Sequence, residues 1–166
     1  MKDELINKAF ELVDNGDVVK LKEIVNKNPY LINSESIYGS LLQEAVNEEN
    51  EDMVIFLINN GADINYIGGL AGTSILTDAV HNGNLRIVQL LIESGVELTA
   101  KTFEANALFA AIYKRHNEIA KYLIDMGIDT TAKYNIGEIK NCDAMEYARQ
   151  YGCTEIYNYL KAKSEK

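Results

Sequence analysis

Residues 73–99 read TSILTDAVHNGNLRIVQLLIESGVELT. In the second half Ile87, Val88, Leu90 and Leu91 fall at i, i+1, i+3 and i+4, which makes one stripe on a helix and not the alternation of a strand. In the first half Ile75, Leu76, Ala79 and Val80 share a side behind Thr73 and Ser74, whose hydroxyls suit a helix N-terminus. Ala79 allows a second helix to approach closely, and Gly95 ends the second helix where a left-handed residue is needed. A pair of helices this short cannot bury its apolar stripe alone, so it needs neighbours of its own kind.

Those neighbours are in the sequence. GSLLQEAVNEENEDMVIFLINNGADIN starts at Gly39 and ANALFAAIYKRHNEIAKYLIDMGIDTT at Ala105. Aligned on the residue near the end of the first helix, the copies place Leu12, Ala45, Ala79, Ala111 and Ala148 in register, at spacings of 33, 34, 32 and 37. The copies resemble the ankyrin pattern, roughly T-P-L-H-x-A-A, two variable residues, G-H-x-E-I-V, then L-L and G-A-D-V-N. The resemblance covers nearly the whole chain and implies an all-α fold, an ankyrin-repeat α-solenoid of stacked helix-turn-helix units joined by hairpin-like loops. It divides a single domain, 1–166, into units at about 3–35, 36–69, 70–102, 103–135 and 139–166. The first, with AFELVDNGDVVKLKEIVNKNPYLIN, looks like an opening repeat, and irregular ends suit units that face water. Gly61, Gly95 and Gly127 close the second helices, and Asp63, Asn65, Gly68, Gly69 and Gly72 supply the turn chemistry of a projecting hairpin.

The chain also departs from the family pattern. The proline position holds Leu41, Ile75, Ala107 and Ala144, and the histidine position holds Gln43, Thr77, Phe109 and Glu146. In the family that histidine ties the turn to its neighbour, so its loss puts the hairpin geometry in question. The last spacing implies a longer loop over 130–141, TTAKYNIGEIKN, from Thr130 to Asn141, which is a candidate contact element.

Composition narrows the function. Twenty-five acidic against sixteen basic residues give a net charge of −9, which disfavours nucleic acid and anionic lipid and favours a basic protein partner. No apolar run approaches the roughly 18 residues of a membrane helix, and MKDELINKAF is acidic where a secretory signal is apolar, so a cytoplasmic location is expected. Cys142, expected in a loop, and Cys153, expected at a helix start, match neither a disulfide framework nor a zinc site and are expected to be free thiols.

Candidate chemistry is sparse. The two histidines, His81 and His116, sit in no catalytic motif. His81 follows Asp78 by three residues and Glu44 stands one repeat earlier, but helices of neighbouring repeats lie about 10 Å apart, too far for compact metal coordination. GGLAG at 68–72 lacks the Lys-Ser/Thr of a phosphate loop and reads as a hairpin tip. No enzyme, cofactor or metal site is therefore expected.

What the resemblance implies is binding, through hairpin tips and a concave face lined by first helices. Carried over by position, the candidate partner-binding residues are Tyr38, Glu44, Asn47, Glu48, Tyr66, Asp78, His81, Asn82, Phe103, Tyr113, Lys114, Gln150 and Tyr151. Tyr66, Phe103, Tyr113 and Tyr151 are the expected exposed anchors, because aromatics dominate interface hot spots; Tyr147 and Tyr159 are expected to pack between repeats. The reading is a monomeric protein–protein interaction module. Heavy use of Ile, Asn and Lys suggests a bacterial source, where small acidic repeat proteins also serve as immunity proteins against a cognate toxin. A small-ligand or metal-dependent enzyme built on the concave face is the alternative of another class.

Overall fold

In a computed structural model, which describes residues 2–165, the chain is a stack of five helix pairs. The pairs are α1 (Lys2–Asp14) with α2 (Val18–Lys27), α3 (Leu41–Asn47) with α4 (Glu51–Asn59), α5 (Ile75–Asn82) with α6 (Leu85–Glu93), α7 (Ala107–Lys114) with α8 (Asn117–Asp125), and α9 (Ala144–Gln150) with α10 (Thr154–Ser164). A 3-10 turn, Pro29–Asn33, follows α2. Met1 and Lys166, the two ends of the 1–166 domain, lie outside the described residues.

Local chemistry sets where each helix begins. Ser40, Ser74, Asn106 and Asp143 cap the first helices of units two to five, their side chains accepting N–H bonds from Gln43, Thr77, Phe109 and Glu146. Of the pair Thr73 and Ser74, only Ser74 is the cap. Within every pair the turn requires a left-handed residue. The five are Gly16, Glu49, Gly83, Arg115 and Gly152, at φ of 67°, 53°, 75°, 60° and 65°. Glycine adopts this conformation freely; Glu49 and Arg115 do so while their side chains bond to the next unit. Asn84 Nδ2 donates to Glu49 Oε2 at 3.0 Å, and Arg115 Nη2 donates to the Tyr151 carbonyl at 3.0 Å.

Three of the four junctions between units are antiparallel hairpins: β1 (Glu35–Ser36) with β2 (Gly39–Ser40), β3 (Ile67–Gly68) with β4 (Thr73–Ser74), and β5 (Tyr134–Ile136) with β6 (Ile139–Cys142). The junction from α6 to α7 has no strand among the described residues, which corrects the expectation of a hairpin at every boundary. Its cause is Phe103, which turns inward against Phe109, Tyr134 and Tyr147 and collapses the loop onto the stack. The loop over 130–141 is in turn an ordered, bulged hairpin, with Tyr134 Oη donating to the Ala100 carbonyl at 2.9 Å. Cys142 ends β6 and is buried, not in a loop, while Cys153 precedes α10; both are free.

The stack is held by apolar burial and stitched by side chains. Ala45, Ala79, Ala111 and Ala148 are fully buried where first helices meet, and Leu21, Leu57, Leu91 and Leu123 are fully buried on the second helices. Asn33 spans two units, donating to the Gly61 carbonyl and accepting from the Asp63 N–H at 2.8 Å; Asn65 accepts from the Glu97 N–H one unit later at 2.8 Å. At the family's histidine position Thr77 Oγ1 donates to the Ala105 carbonyl at 2.9 Å, so a shorter side chain still ties its unit to the next. Through units one to four, first helices meet along more of their length than second helices do, which curves the stack and puts the first helices on its concave side.

Leu91→Ala is expected to cost about 2–5 kcal/mol, because it opens a cavity at the centre of the stack where no terminal unit can relax to fill it. The urea midpoint reads the effect; an unchanged midpoint would place Leu91 on the wrong helix face.

Candidate functional site

The hairpins and the ends of the first helices together form one open surface. Six of the ten exposed large hydrophobic side chains among the described residues lie on it, and these six, Ile37, Tyr38, Ile67, Leu70, Tyr113 and Tyr151, make it the side with most apolar surface to cover.

Two clefts sink into this surface at the feet of the hairpins. The first, of about 350 Å³, lies between units three, four and five and is lined mainly by Phe103, Phe109, Tyr113, Tyr147, Tyr151 and Ile136. Its aromatic rings support one another: Tyr147 and Tyr151 stand 4.3 Å apart between centroids, and Tyr113 meets Tyr151 edge-on at 5.8 Å. Tyr147 forms the buried floor, and desolvation together with the Tyr151 hydroxyl raises its pKa, so it stays neutral. His81 and Glu104 stand at the rim. Burial and the Lys114 charge push the His81 pKa down, leaving a neutral ring near neutral pH.

The second cleft, of about 340 Å³, lies between units two and three and is polar. Gln43, Glu44, Asn47 and Asp78 line it with the backbone of Gly68 and Gly69. Gln43 Nε2 donates to Asp78 Oδ2 at 2.5 Å and to Thr73 Oγ1 at 3.4 Å. The carboxamide fits because residue 39 is glycine: a Cβ there would fall 2.0 Å from Gln43 Oε1. Burial raises the Asp78 pKa against the lowering bonds from Thr73 and Gln43, and it raises that of Glu44 with help from the carboxylates of Asp14 and Glu48. Four carboxylates are thus gathered along the concave side of units one to three.

The predicted residues fall into three groups. Glu44, Asn47, Glu48, Tyr113, Lys114, Gln150 and Tyr151 stand on the concave face, and Tyr38 on the first hairpin. Gln150 also donates to Glu146 Oε1 at 2.6 Å, and the Arg149 bond first, then Gln150, lowers the Glu146 carboxyl to about 2. Asp78 lies at the bottom of a cleft and not on the open face, because Gln43 and Thr73 supply its hydrogen bonds there. Asn82 is exposed, but its amide already donates to the Val46 carbonyl at 3.1 Å. Tyr66 and Phe103 are not the exposed anchors expected of them. Tyr66 lies half-buried beside the first hairpin with its hydroxyl on Glu35 at 3.4 Å, and Phe103 is taken up by the aromatic cluster. Tyr147 and Tyr159 pack between units as expected, Tyr159 donating to Asp125 at 2.8 Å. In the sequence Gln43 shows only as a missing histidine; its spacing of 35 from Asp78, one repeat plus one, is the available signal.

Among the described residues no three His, Cys, Asp or Glu side chains come together to hold a metal, and no helix is long and apolar enough to cross a membrane.

Stacked helix pairs with an open concave surface define a repeat solenoid built for recognition. A family model described as ankyrin repeats (3 copies) matches residues 9–102 and again 76–166, and the chain belongs to the ankyrin-repeat family. It is similar to Notch-regulated ankyrin repeat-containing protein A of Danio rerio, 32% identical over 101 residues, or 58% of this chain and 86% of that protein. It is also similar to B-cell lymphoma 3 protein homolog of Mus musculus, 32% identical over 93 residues (55% of this chain, 21% of the relative), and to an ankyrin repeat protein of fowlpox virus, 28% identical over 151 residues (85% of this chain, 27% of the relative). The chain therefore spans only about a fifth to a quarter of those last two proteins. Ankyrin repeats are protein–protein interaction modules, and that coarse function holds here.

Folding raises the Asp78 pKa, so the folded state holds that proton more tightly than the unfolded chain. The charge costs nothing well below the ordinary carboxylate range and destabilises as pH rises through the folded value. The urea midpoint of Asp78→Asn relative to wild type is therefore expected to climb between roughly pH 3 and pH 7. A flat difference would mean that Asp78 titrates as it does in solvent.

Proposed function

We propose that this chain is a monomeric, cytoplasmic, non-enzymatic binding module that holds a basic protein partner on its concave face and hairpin tips. The observation that carries the reading is the pairing on one face of gathered carboxylates, Asp14, Glu44 and Glu48, with the uncovered rings of Tyr113 and Tyr151. Burial, and then the neighbouring carboxylates of Asp14 and Glu48, raise the Glu44 pKa, so a cation placed beside Glu44 relieves repulsion that the free protein carries. The exposed tyrosines supply rigid apolar contact at low entropic cost. Burial of both cysteines as free thiols suits a reducing compartment.

Affinity capture from the source cell, followed by identification of the bound proteins, tests the reading. A basic protein is the expected catch. Glu44→Lys with Glu48→Lys is expected to slow association with it by roughly tenfold at low salt, the difference shrinking as salt rises. An association rate indifferent to the double charge swap would remove the electrostatic part of the proposal.

A further inference from the structure

The aromatic cleft between units three, four and five is walled by rings but not closed to hydrogen bonding. Besides the tyrosine hydroxyls, its polar lining is Thr73, His81 and Glu104. Thr73 turns its hydroxyl to the polar cleft, where it accepts from the Gln43 amide at 3.4 Å and holds down the Asp78 pKa. The Glu104 carboxylate is exposed and joined to no other described residue by a hydrogen bond or an ion pair, and the same holds for the half-buried ring of His81. Glu104 therefore stands at the cleft as an acceptor with nothing to accept.

Inside the cleft, charge of either sign is disfavoured. Burial, then the charges of Lys114 and His116, lower the pKa of His81 even though Asp78 on the same helix pulls the other way, so added positive charge is costly there. Burial raises the pKa of Tyr147 on the floor, so negative charge is costly too. A lysine or arginine from a partner would meet the first cost, and an aspartate or glutamate the second. The fitting occupant is neutral. It is also broad, because five rings line about 350 Å³ and an aliphatic side chain would leave most of them uncovered. Its polar atom must donate, since a carboxylate only accepts. Tryptophan combines the widest apolar face of any neutral side chain with an N–H that donates and never accepts.

We propose that this cleft takes a tryptophan side chain of the protein partner, its indole ring among Phe103, Tyr113 and Tyr151 and its N–H on the Glu104 carboxylate. This rests on the concave-face reading above and specifies one residue of its ligand. Tryptophan is also among the side chains that most often anchor an interface when seated in a pocket.

The chain has no tryptophan of its own, so indole fluorescence in a mixture belongs wholly to the ligand. The test titrates the full chain into the acetylated and amidated peptide Gly-Ser-Gly-Trp-Gly-Ser-Gly, and into the same peptide with Phe, Tyr, Leu, Arg or 1-methyltryptophan at its centre, with NMR shifts of the chain locating the site. The tryptophan peptide is expected to bind at least roughly fivefold tighter than each of the others, with shifts centred on Phe103, Tyr113 and Tyr151. Glu104→Ala should weaken the tryptophan peptide several-fold and leave the phenylalanine and 1-methyltryptophan peptides unchanged, while Tyr113→Ala should weaken all three. Both side chains are exposed, so neither substitution opens the core, and the urea midpoint of each variant checks it. Equal affinity for any of the other peptides would overturn the assignment, as would free tryptophan binding more tightly than the peptide, which would make the cleft a metabolite site. Shifts outside the cleft, or none at millimolar concentration, would overturn it as well. Glu44→Lys with Glu48→Lys is expected to leave tryptophan binding unchanged, so failure of the charged part of the concave-face reading and failure of this inference are told apart.

Discussion

Everything in this molecule follows from the inability of one short helix pair to bury its own apolar stripe. Each pair has a fully buried leucine on its second helix or, in the last, Ile156, and that side chain is covered only because another pair stands against it. Stability is therefore a sum of units and interfaces. The alanines at 45, 79, 111 and 148 bring the first helices together, and the closer packing on that side bends the stack. Curvature then makes a concave face, and the hairpins extend it. The binding surface is a by-product of how the core is closed.

Because the constraint recurs, the sequence carried it plainly. The buried alanines and the closing Gly61, Gly95 and Gly127 recur at the unit spacing, and each has one local reason to be there. The parts that were not legible depend on single side chains that break the repeat. Phe103 occupies a turn position that elsewhere projects; only three-dimensional proximity to Phe109, Tyr134 and Tyr147 reveals that it folds inward. Glu49 and Arg115 hold left-handed positions without glycine, which periodicity alone would not suggest. The missing histidines pointed to loose hairpins, yet Gln43 and Thr77 restore the lateral hydrogen bonds by different routes.

The candidate site was half legible. Positions facing the concave side follow from register, so Glu44, Asn47, Tyr113 and Tyr151 were recoverable, whereas depth was not. Asp78 lies at the base of a cleft because Gln43, one repeat earlier, reaches across to it; the spacing of one repeat plus one permits that contact but does not encode its depth. The face has two characters, polar side chains over units two and three and rings over units three to five. Electrostatics and shape thus divide the surface, as they do in interfaces that use charge for steering and aromatics for affinity.

The central claim is that the first helices form the face that meets a partner and the second helices do not. Site-specific photo-crosslinking in the source cell tests it directly, with a crosslinking amino acid placed at Asn47 or Tyr113 on the inner side, or at Val19 or Ile55, which are also exposed, on the outer helices α2 and α4. The account predicts a discrete crosslinked product from both inner positions and background alone from both outer ones. A product from Val19 or Ile55 with none from Asn47 and Tyr113 would contradict it.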